Sequence, residues 1–220
     1  GAPKDKVRAL LVAVHNDELA LLQNVVKNSN LTASFYEIEI FSTIRACVDE
    51  PIKPILVLDI GAATTKAYIV EHGIVALSHT IPVGGQDATR AIAVGNGLSI
   101  SAAETLKKEH GLLGSQGEGA TIRTALETVY MRIFSESRRV VAQYETAHQK
   151  AVATIILTGG GGVAKGLGAF AQTAFSIEVR VADPFSKTEA PAFIRPVLKE
   201  IGPEFSVAVG IALRKLSDSQ

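Results

Sequence analysis

Apolar residues run along this chain in two rhythms. Short, almost unbroken apolar runs at 7–14, 55–59 and 153–157 have the length and β-branched content of buried strands. Two further strands are expected at 65–71 and 74–81, joined at His72-Gly73, with shorter ones at 33–38 and 177–181. Between them the spacing changes to the helical period. A helix over 16–29 places Leu19, Leu22, Val25 and Val26 on one face, with Asn16 as its N-cap. Another over 39–48 runs through Ile40, Phe41, Ile44 and Cys47, and Pro51 and Pro54 then break the chain. Helices follow at about 85–95, 100–110 and 119–148, and later at 163–174, 190–199 and 203–215. Strands, then helices, then strand, glycine turn, helix and strand predict an α/β fold with a mixed sheet.

Composition narrows this. The 220 residues carry 22 Lys plus Arg and 22 Asp plus Glu, so the formal charge is zero and nothing draws the chain in bulk to nucleic acid or anionic lipid. With 47% hydrophobic residues a sizeable core is available, and with 5% aromatics and no Trp it must be built from aliphatic side chains. Cys47 is the single cysteine, which excludes an internal disulfide or a cysteine-based metal cluster and makes a reducing, cytoplasmic setting the default. No apolar run reaches the roughly 18 residues of a membrane span, and no leader is visible.

Two glycine turns directly follow buried strands. The first is Asp59-Ile60-Gly61-Ala62-Ala63-Thr64-Thr65-Lys66. Gly61 permits a tight reversal, after which backbone amides and Thr hydroxyls can face a phosphate. A carboxylate at the strand end, Asp59, can hold Mg²⁺ through water. The second turn is Gly159-Gly160-Gly161-Gly162 at the opening of a helix, where amides favour an anion. Neither fits the P-loop or dinucleotide fingerprints.

Taken in order, the Asp-x-Gly-x-x-Thr turn and hairpin, Gly84-Gly85, Glu104-x-x-Lys107 and the later glycine turn resemble the actin-like ATPase superfamily, whose lobes are ribonuclease H-like. Within it, Ile81-Pro82-Val83-Gly84-Gly85, Ala103-Glu104-Thr105-Leu106-Lys107, Leu157-Thr158-Gly159-Gly160-Gly161, Asp183-Pro184-Phe185 and Ala208-Val209-Gly210-Ile211-Ala212-Leu213 resemble the type IV pilus assembly protein PilM family, with the cell-division protein FtsA the next relative. The resemblance implies ATP and Mg²⁺ as ligands. It places Asp59, Gly61, Ala62, Ala63, Thr64 and Thr65 at the second phosphate loop, with Gly84 and Gly85 beside it. Gly159, Gly160 and Gly161 fall at the adenosine loop, and Glu104 and Lys107 face ribose and adenine. Asp59 takes a Mg²⁺-linked role and Glu39 a water-orienting one. The helices at 39–48 and 205–213 become the two connecting helices at the hinge between lobes.

The same resemblance implies two parts: a partial small subdomain with the first connecting helix over 1–50, and a second actin-like lobe over 51–220 with a helical insert at about 85–150. No other Asp-x-Gly loop precedes residue 55, so about the first third of such a chain is expected to lie outside this sequence. At most slow ATP turnover is expected. The partner implied is the cytoplasmic N-terminal peptide of a PilN-like inner-membrane protein, with the chain held at the membrane through it and self-association an option. Plainer readings stand beside these: Asp59 capping the loop amides of 61–63, Glu39 as an exposed helix-start acid, and Glu104 with Lys107 as a surface i,i+3 pair. So do an FtsA-like membrane tether and an interaction module of the same fold without nucleotide activity.

Overall fold

The computed structural model describes residues 13–49 and 53–217. The chain forms two compact units, 1–38 and 39–220. In the first, helix α1 (Asn16–Asn28) follows His15, which takes the extended N-cap position in place of Asn16. None of the α1 residues is buried; Leu22 and Val25 of its apolar face are exposed. Most of the strand expected at 7–14 lies outside the described residues, and 13–14 are not extended into a strand. Residues 33–38 are irregular rather than the expected strand. Asn30, just after α1, has a positive φ of 54°, so the chain turns there instead of running on extended.

The second unit carries one five-stranded sheet in the order β3-β2-β1-β4-β5. Strands β1 (Ile55–Ile60), β2 (Thr65–Glu71) and β3 (Ile74–Ile81) form an antiparallel meander. The two-residue turn between β2 and β3 holds His72 and Gly73 at φ of 52° and 76°, the left-handed pair that a tight hairpin requires. β4 (Thr154–Thr158) and β5 (Glu178–Val181) join on the other side of β1, both parallel. The sheet is therefore mixed, as the pattern predicted.

The alternation of β1 divides two cores. Leu56, Leu58 and Ile60 face a large cluster completed by α3 (Gly85–Asn96), α5 (Gly117–His148) and α6 (Leu167–Ala174), while Val57 faces a smaller one with Ile44 and Val48 at α2 (Glu39–Cys47). Between α3 and α5 comes α4 (Ile100–His110), and α7 (Arg195–Ile201) and α8 (Ser206–Ser217) end the unit. α6 and α7 begin four and five residues later than the pattern predicted, at Leu167 and Arg195, because the segments before them are turns. α2 and α8 cross so closely that a Cβ on Gly210 would lie 1.9 Å from the carbonyl oxygen of Ser42. The crossing of α2 and α8 thus rests on an interhelical contact that only glycine admits.

At the far end of β2, buried Glu71 is tied to α5. Lys150 pairs with its carboxylate and Tyr144 donates to it at 3.0 Å. The bond from Lys150, set against the burial that disfavours the charge and helped by Tyr144, holds the Glu71 carboxyl below its ordinary value of 4.5. A depressed carboxyl stabilises the fold above that ordinary value, and the contribution disappears as pH falls through the lower folded value. Glu71→Gln is expected to lower the urea midpoint at neutral pH and to flatten its decline towards about pH 3. Parallel wild-type and mutant curves across that range would show that the pair contributes nothing.

Candidate functional site

The carboxyl ends of the neighbouring parallel strands β1 and β4 lie at one end of the sheet, where open α/β folds place their ligand crevices. The two glycine turns leave from there, and their packing is too close for side chains. A Cβ on Gly159 would sit 2.4 Å from Asp59 Oδ1, and one on Gly161 would sit 2.4 Å from Ile60 Cγ2. Gly159 also has a φ of 82°. Gly160 has no such contact: its nearest neighbour would be Glu204 Cγ at 3.9 Å. The amide of Gly161 donates to Ile60 O at 2.7 Å, and that of Gly159 to Pro203 O at 3.0 Å.

The first turn closes through Gly61 N to Thr64 O at 2.9 Å. It is docked onto the start of α3, where Gly85 N donates to Gly61 O at 2.9 Å and Gln86 N to Ala62 O at 2.8 Å. A Cβ on Gly84 would lie 2.5 Å from Ala62 O, so Gly84 is what lets helix and turn approach, whereas one on Gly85 would meet Gly61 O only at 3.6 Å. The Asp87 carboxylate caps Gly84 N at 2.9 Å. Among the described residues, the amides of Ala62 and Gly160 donate to no group of the chain.

These turns, α3 and α4 enclose a cleft of about 1000 Å³. Of the residues singled out in the sequence, Gly61, Ala62, Gly85, Glu104, Lys107, Gly160 and Gly161 line it. Glu104 and Lys107 stand 2.7 Å apart, and Thr89 Oγ1 lies 2.5 Å from Glu104 Oε2 and 2.8 Å from Lys107 Nζ. Burial disfavours the charge on Glu104, but the bonds from Lys107 and Thr89 outweigh it and keep the carboxyl below its ordinary value. Tyr130 of α5 reaches the glycine turn from below, donating to Gly161 O at 3.2 Å.

The remaining expected residues do not line the cleft. Gly84 and Gly159 act through the close approaches just described, and Ala63 and Thr64 belong to the first turn without bordering the cleft. Thr65 is fully buried and its hydroxyl donates to Val83 O at 2.8 Å, which removes it from the set of groups open to a ligand. Asp59 lies on the α2 face of β1, in register with Lys66 and Thr158. It does not cap the amides of 61–63, and burial raises its carboxyl above the ordinary value. Glu39, at the first position of α2, is ion-paired to Lys66 rather than standing free at the helix start. Burial lowers the Lys66 ammonium from its ordinary value. Sequence reasoning missed Thr89, Arg90, Ser101 and Glu204, which also border the cleft. The signal for Thr89 was available in its position one helical turn after Gly85.

The model of the family described as type IV pilus assembly protein PilM matches residues 2–216. The chain belongs to the PilM family. FtsA of Escherichia coli (strain K12) is 28% identical over 91% of the chain and 53% of its own length. FtsA of Bacillus subtilis (strain 168) is 26% identical over 62% of the chain and 35% of its own length. Among solved structures, a PilM-PilN type IV pilus biogenesis complex superposes with a TM-score of 0.76 at 26% identity, covering 89% of this chain and 57% of that one. MreB 5 of Spiroplasma citri bound to AMPPNP superposes at 0.69 with 17% identity, covering 94% and 66%, which establishes the actin-like fold. This PilM-family chain spans about half the length of the curated relatives it matches.

The consecutive glycines of the second turn are not equivalent, and this is testable. Gly161→Ala is expected to cost about 2 kcal/mol, since Ile60 must shift to admit the methyl. Gly160→Ala should leave stability within about 0.5 kcal/mol. Urea unfolding of the two variants measures the difference, and equal losses would contradict the packing described.

Proposed function

We propose that the cleft binds ATP with Mg²⁺ and that the protein serves as an actin-like nucleotide-binding scaffold in type IV pilus assembly. The observation that carries this reading is the pairing of two glycine turns at the carboxyl ends of β1 and β4, each with a cleft-lining residue, Ala62 and Gly160, whose amide has no acceptor in the described chain. Undirected amides at a strand-to-turn junction suit phosphate oxygens, because a buried or ligand-covered N–H needs an acceptor. A cleft of about 1000 Å³ is ample for a nucleotide.

In this reading Gly61, Ala62, Ala63 and Thr64 form the phosphate-side turn, Gly85 supports it, and Gly160 with Gly161 forms the opposite wall. Glu104, with its lowered carboxyl, is an acceptor for ribose hydroxyls. The donor set also fits a divalent cation: Asp59 is a strand-end carboxylate to which no group of the described chain donates, and its burial favours a cationic partner. Mg²⁺ held from Asp59 would neutralise phosphate charge. Glu39 keeps its ion pair with Lys66 and has no separate role in this proposal.

Residues 51–220 serve as the second lobe, with the α3–α5 segment as the helical insert, and residues 1–50 as part of the small extra subdomain together with α2 as the first connecting helix. The partner is a PilN-like inner-membrane protein, engaged through a cytoplasmic peptide and holding the chain at the membrane. The family match over 2–216 and the likeness to a PilM-PilN complex support this over an FtsA-like tether. No helix among the described residues is long and apolar enough to cross a membrane.

Calorimetric titration of the full-length protein with ATP and Mg²⁺ tests the nucleotide reading. Saturable binding is expected, weakened at least about tenfold by Gly160→Val, whose side chain enters the cleft while the fold is kept. Absence of binding, or identical affinity in the variant, would overturn it.

A further inference from the structure

Lys107 is placed by the family resemblance against ribose and adenine, but its ammonium is already occupied. Nζ lies 2.7 Å from Glu104 Oε2, 2.8 Å from Thr89 Oγ1 and 3.2 Å from Gly85 O. An ammonium has three N–H donors, and these three acceptors use them all. The Lys107 side chain is only 15% exposed, so what it offers the cleft is its methylene stem. Thr89 is the hub of the same group. It is 3% exposed, its hydroxyl lies 2.5 Å from Glu104 Oε2 and 3.0 Å from Gly85 O, and it takes the bond from Lys107. Two elements converge on it: α3 itself, through the Gly85 carbonyl one turn earlier, and α4 through Glu104 and Lys107.

The group holds one oxygen of Glu104 and leaves the other. Oε2 is fixed by Thr89 and Lys107, whereas among the described residues Oε1 has only Lys108 Nζ at 3.6 Å, from a side chain that is 75% exposed. A carboxylate fixed through one oxygen presents the other in a single direction, which is what an acceptor must do to select a hydroxyl.

We propose that Thr89 and Lys107 are positioning residues that clamp Glu104, so that its free oxygen reads the ribose hydroxyls and makes the cleft selective for ribonucleotides. This rests on the nucleotide reading above and adds to it a residue hub and a specificity. Thr89 touches no ligand; it acts through Glu104.

The test is the ratio of affinities of the full-length protein for ATP and for 2′,3′-dideoxy-ATP, both with Mg²⁺. Wild type is expected to favour ATP by about tenfold, the scale of a hydrogen bond to a charged acceptor. Thr89→Val, equal in shape and without the hydroxyl, should bring the ratio close to one, and Thr89→Ser should restore it. Lys107→Met is a second variant that breaks the clamp from the other side and should lower the ratio likewise. A ligand-free readout accompanies these: the Glu104 carboxyl titration followed by NMR. Glu104 faces Thr89, Lys107 and Lys108, and its charge also acts on Tyr130. Its midpoint should rise in Thr89→Val and stay in Thr89→Ser. A ratio unchanged in both Thr89→Val and Lys107→Met overturns the inference and leaves the nucleotide reading intact. So does a wild type that binds the two nucleotides equally. A wild type that binds neither defeats the nucleotide reading and this inference with it.

Discussion

The unit over 39–220 depends on one close approach. At the carboxyl ends of β1 and β4, the turn after β4 lies so near Asp59 and Ile60 that Gly159 and Gly161 are the residues that fit. The approach is fixed by the 2.7 Å bond from Gly161 N to Ile60 O, which extends the parallel pairing of the two strands past their ends. Because the two turns are locked to each other there, they diverge above that point and leave the cleft between them. Larger residues at either position would push the turns apart and fill the space they now border.

The same end of β4 is tied to the helix pair on the other face. The Pro203 carbonyl accepts from Gly159 N at 3.0 Å and is shared by the hydroxyls of Thr158 and Ser206, at 3.2 and 3.0 Å. Cys47 of α2 donates to Ser206 at 3.2 Å, and Arg45 reaches Gly210 O at 3.0 Å. Burial, set against the neighbouring hydroxyls, raises the Cys47 thiol, which suits a small packed side chain rather than a reactive one. One short 3₁₀ turn, Gly202–Phe205, thus connects a wall of the cleft to the crossing of α2 and α8, and brings Glu204 to the cleft's border. Movement of the glycine turn and movement of that crossing share a carbonyl.

Much of this was legible in the sequence because it is local. The hairpin of β2 and β3 follows from alternation and from a two-residue turn at His72-Gly73, and the buried runs of β1 and β4 follow from their unbroken aliphatic character. The glycine turns were visible as glycines. What each glycine does was not, since the use of the Gly159 and Gly161 amides within the chain depends on how β1 pairs with β4. Thr65 carries a hydroxyl in a phosphate-loop pattern, yet only the tertiary fold directs it to Val83 O. Thr89 was missed for the converse reason: an unremarkable helix residue becomes a hub only when α4 packs beside α3. Residues 33–38 have strand-like composition but are irregular, since short apolar runs do not specify a strand alone.

The account turns on which amides of the two turns are open to an anion. Backbone amide shifts of the full-length protein, recorded by NMR during titration with ADP and Mg²⁺, read this directly. Ala62 and Gly160 are predicted to shift strongly and to saturate together, while Gly159 and Gly161, committed to Pro203 O and Ile60 O, move little. Equal shifts at all four amides, or shifts confined to residues away from the cleft, would contradict the account.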